Sequence, residues 1–394
     1  MKHIFLRKNE EQRLRSGHQW VFSNQLLDVD KTIANGDVVA LYSFTKQFLG
    51  IGFFNRHSLI AYRHLSAHEE PIDQAFFEHR LDAAWRLRKV LYPESLTNTF
   101  RLVHGESDHL PGLIVDKFAD VLSVQTFSVG MEVRLDTICA ALVKRFSPRA
   151  IVLRNESELR KLEGLEQYSR LAFGELAGSV EIVDAGIKYA VDVRHGHKTG
   201  FFLDQRENRK RIRPFAKGAR VLDVFTSDGG FALNALYAGA REVVALDASA
   251  DALTRAQHNA ELNGFQNLCT RQGDAFLLLE EMLQNGEHFD LVILDPPSLT
   301  KSKKNVESAT KAYRKLNRLG LLLVKSGGYL ATASCSHHVS ESEFLKILAQ
   351  AAADAKRSVK ILERATQAPD HPILPAMPET QYLKFALLYV ADEH

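Results

Sequence analysis

Residues 221–231 read VLDVFTSDGGF, the pattern of a buried strand that ends near an acid and turns into a helix. The apolar residues suit a parallel strand covered on both faces, with Asp223 near its carboxyl end. Gly229 and Gly230 allow the backbone to turn tightly into the helix that follows. Because ligands of open α/β sheets bind at the carboxyl ends of the strands, this stretch predicts a ligand site.

A second apolar strand ends on Asp247, at an offset where an acid typically contacts a ribose hydroxyl pair, so a nucleoside ligand is predicted. A dinucleotide site requires G-x-G-x-x-G, which lets bare backbone approach a pyrophosphate. Here only an adjacent glycine pair is present, and Asp228 would repel a pyrophosphate. S-adenosylmethionine has no phosphates and fits better, with Asp223 facing its cationic amino acid end and Asp247 its ribose. An ordinary strand–helix turn with surface acids is the alternative.

The composition is that of a soluble globular chain, with 394 residues, a net charge of +2 and 45% hydrophobic residues. This length predicts two or three domains. We expect no signal sequence, because the N-terminal residues lack its charged, apolar and small-residue pattern, and no membrane span, because no apolar run reaches roughly 18 residues. The cysteines, Cys139, Cys269 and Cys335, lack the spacing of a disulfide framework or a zinc knuckle. We therefore expect a cytoplasmic protein without a membrane partner or a metal.

Two basic runs flank the predicted ligand edge, at residues 194–217 and 301–325, and each contains eight lysines and arginines. Local positive fields of this kind attract polyanions. A solvated face is the common alternative for either run alone. Because both runs converge on one edge, we predict a nucleic acid substrate.

The chain divides into three predicted domains. Residues 1–72 contain short β-rich runs separated by Asn-Gly and Gly turns, which predicts a compact barrel. Residues 73–180 combine a helical run with several strands and predict a small α+β domain. Strands and helices alternate through residues 181–394, which predicts a doubly wound parallel sheet. The predicted fold class is therefore α/β, with a Rossmann-like domain preceded by two small domains.

Two further motifs fall at the same predicted edge. Asp295-Pro296-Pro297 follows a strand, and the prolines stiffen the loop so that the Asp295 carboxylate can accept from a substrate amino group. Cys335 lies in TASCS at the end of the next strand. Its thiolate could attack C6 of a pyrimidine and make C5 nucleophilic toward a methyl donor. A buried structural cysteine is the alternative.

Seven motifs, spread over nearly the full length, are GHQWVFSN (17–24), GESDHLPGLIVDKF (105–118), KTGFFLDQRENR (198–209), VLDVFTSDGGF (221–231), DPPSLTKSKK (295–304), TASCS (332–336) and PDHPILPAMPETQYLK (369–384). With these motifs the chain resembles the bacterial large-subunit ribosomal RNA methyltransferase I family, cytosine-5 enzymes with an N-terminal PUA domain. The resemblance implies a PUA barrel, a middle α+β domain and a class I methyltransferase domain with an antiparallel final hairpin.

The resemblance also implies roles for individual residues. Phe225 and Gly229 would line the cofactor pocket, with Asp247 at the ribose and Asp274 and Ala275 on the adenine side. Asp295 would contact the target base, and Cys335 would be the nucleophile. Further cofactor contacts are expected at Lys198, Thr199, Gly200, Phe201, Asp204 and Arg206. Contacts with the RNA are expected at Pro296, Pro297, Arg209, Lys301, Lys303 and Lys304.

We therefore predict S-adenosylmethionine-dependent methylation of cytosine C5 in 23S rRNA, or in a large-subunit precursor, through a covalent bond between Cys335 and C6. A methyltransferase acting on a nitrogen, such as guanine N7, would share the DPP motif and need no thiol. An RNA-binding assembly factor would keep the fold without activity. A dinucleotide oxidoreductase is disfavoured by the missing third glycine. The target nucleotide, a homodimer and the base that removes the C5 proton are left open.

Overall fold

The computed structural model describes residues 1–196, 199–299 and 306–392. Its contacts divide the chain into two compact units, each of which is continuous in space but not in sequence. Unit 1 comprises Met1–Ala185, Val191–Leu203 and Pro369–Thr380, and unit 2 comprises Gly186–Ala190, Asp204–Ala368 and Gln381–His394. Among the helices in these described parts, none has both the length and the apolar character needed to cross a bilayer.

The first sheet of unit 1 lies in the stretch predicted as a β-rich barrel. Its elements are β1 (Lys2–Phe5), α1 (Gln12–Arg15), β2 (Trp20–Phe22), β3 (Val38–Tyr42), β4 (Phe48–Phe54) and β5 (Ile60–Ser66). The five strands have the order β1-β3-β4-β5-β2, and β1 pairs with β3 in parallel while the other pairs are antiparallel. Inward residues such as Ile4, Leu41 and Tyr62 form a core of its own.

The second sheet of unit 1 carries helices on one face. Its elements are α2 (Gln74–Leu91), β6 (Thr99–His104), β7 (Leu113–Phe118), β8 (Val121–Thr126), α3 (Val129–Glu132), α4 (Leu135–Phe146), β9 (Ala150–Asn155) and β10 (Tyr168–Gly174). The order is β10-β9-β8-β7-β6. Asp73 caps the N-terminus of α2, because its carboxylate accepts from the Phe76 N–H, and the helix buries Phe77 and Leu81 in the core of this sheet. Both sheets belong to one compact unit, and the domain boundaries near residues 72 and 180 stay predictions.

Unit 2 is built around residues 221–231, which form a strand and the turn into the next helix. Two short strands, β11 (Val180–Asp184) and β12 (Ile187–Val191), lie where the chain passes from one unit to the other. The elements that follow are α5 (Arg206–Arg211), α6 (Arg213–Ala216), β13 (Arg220–Val224), α7 (Gly230–Tyr237), β14 (Glu242–Asp247), α8 (Ala250–Leu262), β15 (Leu268–Gln272), α9 (Ala275–Gln284), β16 (Phe289–Leu294), α10 (Val306–Leu323), β17 (Val324–Ser334), α11 (Glu341–Ala355), β18 (Arg357–Ala365) and β19 (Lys384–Asp392).

The seven strands of this sheet have the order β15-β14-β13-β16-β17-β19-β18. The first five are parallel, whereas β19 runs antiparallel to β17 and β18. Val221, Leu222 and Val224 on β13 are inaccessible to solvent, because helices cover both faces of the central strands. The strand order reverses beside β13, and in such sheets the crevice at that point receives the ligand. The predicted α/β fold class and the doubly wound sheet are confirmed.

Candidate functional site

Asp223, at the carboxyl end of β13, is the most deeply buried acid of this edge, with 1% of its surface exposed. Its Oδ2 accepts hydrogen bonds from the Thr226 hydroxyl at 2.6 Å and from the Ala232 N–H at 2.9 Å. Its Oδ1 is buried and has no hydrogen-bond partner among the described residues. The carboxylate is thus held rigidly by one oxygen, while the other oxygen lacks a donor.

Burial raises the pKa of Asp223 to about 7. Hydrogen bonds from Thr226 and from the Ala232 N–H oppose this rise, and so does the positive charge of Arg209. The negative charge of Asp295 adds to it. A cation that bound at Oδ1 would favour the ionised carboxylate, so the site is suited to a positively charged group.

The turn between β13 and α7 has an unusual backbone. Phe225, Ser227 and Gly229 have φ angles of 66°, 51° and 82°, which lie in the left-handed region that residues other than glycine rarely adopt. Asp247, at the end of β14, stabilises the turn because its carboxylate accepts from the Ser227 N–H at 3.0 Å. Strained turns of this kind persist where the surrounding structure holds them, and they cluster at binding sites.

Asp228, which precedes the glycine pair, forms an ion pair with Arg255 on α8, with 2.5 Å between Oδ1 and Nε. Asn259 on the same helix donates to the Asp228 carbonyl at 3.0 Å. The expectation that Asp228 would repel a pyrophosphate is therefore wrong as argued, because its charge is paired. The missing third glycine is the argument against a dinucleotide that remains.

Asp274 and Ala275 begin α9 at the same edge. The Asp274 carboxylate caps the helix by accepting from the N–H groups of Phe276 at 2.9 Å and Leu277 at 3.1 Å. Asp274 is exposed and Ala275 is buried. The Gly273 N–H donates to the Asp247 carbonyl at 3.0 Å, which places the start of α9 beside the end of β14.

Asp295 follows β16, the strand next to β13, and is half-buried, while Pro296 is buried and Pro297 is exposed. Gln205, just before α5, donates from Nε2 to Asp295 Oδ1 at 2.8 Å. Asn208 on α5 in turn donates to Gln205 Oε1 at 2.6 Å. This chain of amides fixes the orientation of the acid. Sequence reasoning missed Gln205, whose only signal was its place within the KTGFFLDQRENR motif.

Cys335 follows β17, the strand beside β16, and is half-buried. Its neighbour Ser336 is fully buried and contacts two other elements through its hydroxyl. The Ser336 Oγ lies 3.1 Å from the Oγ of Ser298, in the DPPS loop, and 2.9 Å from the hydroxyl of Tyr313 on α10. The structure therefore joins the loop that carries Asp295 to the loop that carries Cys335, as their predicted positions at neighbouring strand ends require.

Lys384, at the start of β19, is a second residue that sequence reasoning missed. It is 6% exposed, and its Nζ donates to the carbonyl oxygens of Ser336 at 2.7 Å and Tyr382 at 2.8 Å. Burial lowers the pKa of Lys384 to about 8, and Cys335 acts in the opposite direction.

The remaining predicted cofactor residues are divided between the two units. Thr199, Gly200 and Phe201 belong to unit 1, where the Thr199 hydroxyl donates to Asp116 Oδ2 at 2.5 Å. In unit 2, Asp204 Oδ2 accepts from the Tyr382 hydroxyl at 2.8 Å. Arg206, also in unit 2, is 1% exposed. The lysines predicted to contact cofactor or RNA, which are Lys198, Lys301, Lys303 and Lys304, lie outside the described residues.

Arg209, predicted to contact RNA, is buried, with 5% of its surface exposed. Its guanidinium packs so closely on α7 that a Cβ on Gly230 would lie 2.5 Å from its Nε, and it lies 6.0 Å from the centre of the Phe231 ring. The predicted contact with RNA phosphate does not fit this burial. Arg209 instead lowers the pKa of Asp223 through its positive charge.

In the part of the second basic run that the structure describes, residues 306–325, acidic side chains neutralise most of the positive charges. The ion pairs are Lys311 with Glu307, Arg314 with Asp354, Lys315 with Glu280, and Lys325 with Asp290. This part of the run is therefore an ion-paired surface of α10 and β17 and not an array of uncompensated charges. Such exposed pairs are weak, because water and salt screen them.

Comparison with known proteins identifies a methyltransferase region and a PUA-like region in this chain. Residues 148–387 match the S-adenosylmethionine-dependent methyltransferase family, and residues 4–67 match a PUA-like domain. A relative from Vibrio cholerae, ribosomal RNA large subunit methyltransferase I, is 40% identical over 386 residues, which are 97% of this chain and 97% of the relative. The protein of the same name from Alteromonas mediterranea is 38% identical over 393 residues, or 99% of each chain.

Solved structures extend the match to the whole fold. An S-adenosylmethionine-dependent methyltransferase from Streptococcus mutans covers 99% of this chain, and all of its own length is matched, with a TM-score of 0.84 and 22% identity. A methyltransferase complexed with SAH gives a TM-score of 0.86 at the same identity and coverage. The fold thus has a PUA-like domain, a middle β-rich domain and a class I methyltransferase domain, and the predicted dependence on S-adenosylmethionine is confirmed. The chain therefore belongs to the ribosomal RNA large subunit methyltransferase I family.

Proposed function

We propose that this chain methylates C5 of a cytosine in large-subunit ribosomal RNA, taken either as 23S rRNA or as a large-subunit precursor. The names of its relatives support the class of substrate. The observation that carries the finer proposal is the junction at Ser336, which ties the half-buried Cys335 to the loop of Asp295 at neighbouring strand ends. A nucleophile and a base acceptor in adjoining loops are what cytosine C5 chemistry needs.

The residues of unit 2 fit S-adenosylmethionine. The cofactor carries an ammonium group that would supply the missing donor to Asp223 Oδ1. Phe225 and Gly229 are in the braced turn beside this acid, and Asp247 lies at the next strand end, where a ribose is expected. Asp274 and Ala275 would border the adenine side. When bound, the cofactor supplies the methyl group to be transferred. For Thr199, Gly200, Phe201, Asp204 and Arg206, contact with the cofactor stays a prediction.

In the proposed reaction, the Cys335 thiolate attacks C6 of the cytosine and forms a carbon–sulfur bond. The added electron density makes C5 nucleophilic, and C5 accepts the methyl group. C5 then loses its proton to a base, the carbon–sulfur bond breaks, and the sulfur leaves with its electron pair as a thiolate. Cysteine suits this task because it is both a good nucleophile and a good leaving group.

Asp295 would select cytosine. A carboxylate accepts hydrogen bonds, so it can bind the exocyclic amino group of cytosine, whereas uracil presents an oxygen at that position. The hydrogen bond from Gln205 holds one carboxylate oxygen of Asp295 and thereby fixes the orientation of the other oxygen. The target base must leave its stack to reach both residues, which is least costly in an unpaired segment of RNA.

The covalent mechanism is tested with 23S rRNA that contains 5-fluorocytosine and with labelled S-adenosylmethionine, resolved on a denaturing gel. Fluorine at C5 cannot leave as a proton does, so the release step is blocked and a labelled protein–RNA adduct should accumulate. The adduct should vanish in Cys335→Ala. It should persist in Cys269→Ala, because Cys269 is an exposed cysteine on β15, four strands away from β17 and outside the loop that carries Cys335.

Two other outcomes would overturn this proposal. Methylated RNA without an adduct would indicate a nitrogen target, such as guanine N7, and would leave Cys335 with a packing role. RNA binding without methylation or cofactor binding would indicate an assembly factor that keeps the fold but not the activity.

A further inference from the structure

Lys384 is a buried lysine in an environment that does not compensate its charge. Its ammonium group is removed from water, and both of its hydrogen-bond partners are neutral backbone carbonyls, those of Ser336 and Tyr382. Among the described residues, no carboxylate forms an ion pair with it, although a buried charge is costly unless it is paired. The positive charge of Lys384 therefore has no carboxylate partner among the described residues.

The position of Lys384 relative to Cys335 suggests a different partner. In the antiparallel pairing of β17 and β19, Lys384 lies directly opposite Ser334, the residue before the cysteine. Its Nζ also binds the carbonyl of Ser336, the residue after the cysteine. Lys384 thus spans the two neighbours of Cys335, and the charge of Cys335 raises the pKa of Lys384 against the effect of burial.

Other titratable groups around this loop do not supply a negative charge in the same way. The Tyr313 hydroxyl contacts Ser336 Oγ, and its pKa is raised by burial and further by Cys335, so the phenol stays protonated. Asp204 accepts from the Tyr382 hydroxyl. The His337 ring lies 5.6 Å from the Tyr382 ring, measured between centroids, and its residue is exposed.

We propose that Lys384 is a positioning residue that stabilises the thiolate form of Cys335 and fixes the backbone at Ser336, the residue after it. This inference rests on the proposed role of Cys335 as the nucleophile. The thiolate is the reactive form both when the sulfur attacks C6 and when it leaves. An ammonium group in a partly dry environment stabilises that form in both steps, because charges interact more strongly there than in water.

The test measures the reactivity of each cysteine in the full-length protein. Wild type, Lys384→Met and Lys384→Gln are alkylated with iodoacetamide over a range of pH, and the rate at each cysteine is followed by mass spectrometry. Glutamine keeps a polar group that can donate to the carbonyls but removes the charge. In both variants the pH at half-maximal alkylation of Cys335 should rise, and a rise of one pH unit lowers the rate below that pH about tenfold.

Two controls separate charge from structure. Lys384→Arg keeps the charge and should restore most of the reactivity of Cys335. Cys269, exposed on β15, should show the same profile in every variant. Binding of S-adenosylhomocysteine and the far-ultraviolet circular dichroism spectrum report whether each variant folds.

An unchanged Cys335 profile in a folded Lys384→Gln or Lys384→Met variant would overturn the inference. So would a loss of reactivity that Lys384→Arg shares in full, since the backbone contacts and not the charge would then matter. The two proposals fail separately. If Cys335→Ala still methylates RNA, the nucleophile is wrong, whatever the alkylation shows; if the adduct depends on Cys335 but the profile does not depend on Lys384, only the role of Lys384 is wrong.

Discussion

In the proposed cofactor site, Asp223 would couple cofactor binding to pH. Its free carboxyl group has a pKa raised to about 7 by burial, and an ammonium group at Oδ1 requires the ionised form. If the cofactor ammonium group binds at Oδ1, Asp223 has to release a proton below that pH, whereas above it the carboxylate is already charged. Affinity should therefore rise with pH and then level off.

We predict that the dissociation constant of S-adenosylhomocysteine increases by up to tenfold for each pH unit below about 7, as expected for one linked proton. Isothermal titration calorimetry between about pH 5.5 and pH 8 measures this. Asp223→Asn should bind more weakly and lose the dependence, because an amide does not titrate. A wild-type constant that stays flat over this range would show that the ammonium group is not bound by Asp223.

Gln205 acts on the predicted base acceptor without being an acid or a base itself. Its hydrogen bond at 2.8 Å to Asp295 Oδ1 orients the carboxylate, and Asn208 orients the amide. We predict that Gln205→Met lowers kcat by at least about tenfold, since one hydrogen bond to a charged group contributes roughly 1.5–3 kcal/mol. Binding of S-adenosylhomocysteine should change less than kcat.

Steady-state kinetics with ribosomal RNA and calorimetry with the cofactor product separate these effects. Gln205→Glu is the matched variant, because it keeps the size of the side chain but places a second negative charge beside Asp295. It should impair turnover at least as much as Gln205→Met. Full activity in both variants would remove Gln205 from the site.

At the scale of elements, the turn between β13 and α7 combines strain with close packing. Gly229 has a φ of 82°, and a Cβ built there would lie 2.6 Å from Leu233 Cδ1 and 3.2 Å from Ala256 Cβ. Glycine is therefore favoured at this position, because an alanine would combine the left-handed conformation with a displacement of the Leu233 side chain. Gly239 offers a control, because its φ is 89° but no atom lies within 4 Å of its Cβ position.

We predict that Gly239→Ala lowers the free energy of unfolding by about 1–2 kcal/mol, the cost of the left-handed conformation alone. Gly229→Ala should cost more, because the clash with α7 adds to the strain, and it should also weaken binding of S-adenosylhomocysteine. Urea denaturation and calorimetry measure the two effects. Equal losses of stability in both variants would mean that the packing around Gly229 relaxes freely.

At the scale of the whole molecule, the two sheets of unit 1 are joined by a buried ion-pair cluster. Arg63 on β5 binds Glu106 and Glu163, each at 3.0 Å, and the three side chains are 10%, 14% and 4% exposed. Asn55 also donates to Glu163, at 2.9 Å. Charges in this position depend on each other, because removal of one leaves the others buried and unpaired.

We predict that Arg63→Met lowers the free energy of unfolding of unit 1 by about 3–5 kcal/mol. The matched control is Arg149→Met, which breaks the exposed pair with Asp120 and should cost less than about 1 kcal/mol. Urea denaturation followed by circular dichroism compares the two. A similar small loss in both would show that solvent reaches the Arg63 cluster.

Much of the fold could be predicted because its signals are local. The run around Asp223, the alternation of strands and helices, and the acids at strand ends each depend on neighbouring residues only. The edge strand β10 was not predicted, and the final antiparallel hairpin was implied by the resemblance without the residues of β18, since both strands are largely exposed and carry no buried apolar run. Of the candidate site, the residues at the strand ends were predicted by the motifs, whereas the partners that hold them were not.

The sequence by itself determined the fold class, the family and the strand ends at which the proposed site lies, because strand period, turn glycines and motif residues are properties of short segments. Only the tertiary structure decided which charges are compensated. In the folded chain Asp228 pairs with Arg255, and Arg209 is buried against Gly230. Lys384 binds the carbonyl of Ser336, the residue after Cys335. The physical reason is that burial and partner choice depend on which distant segments pack together, and the energy of a charge depends on both.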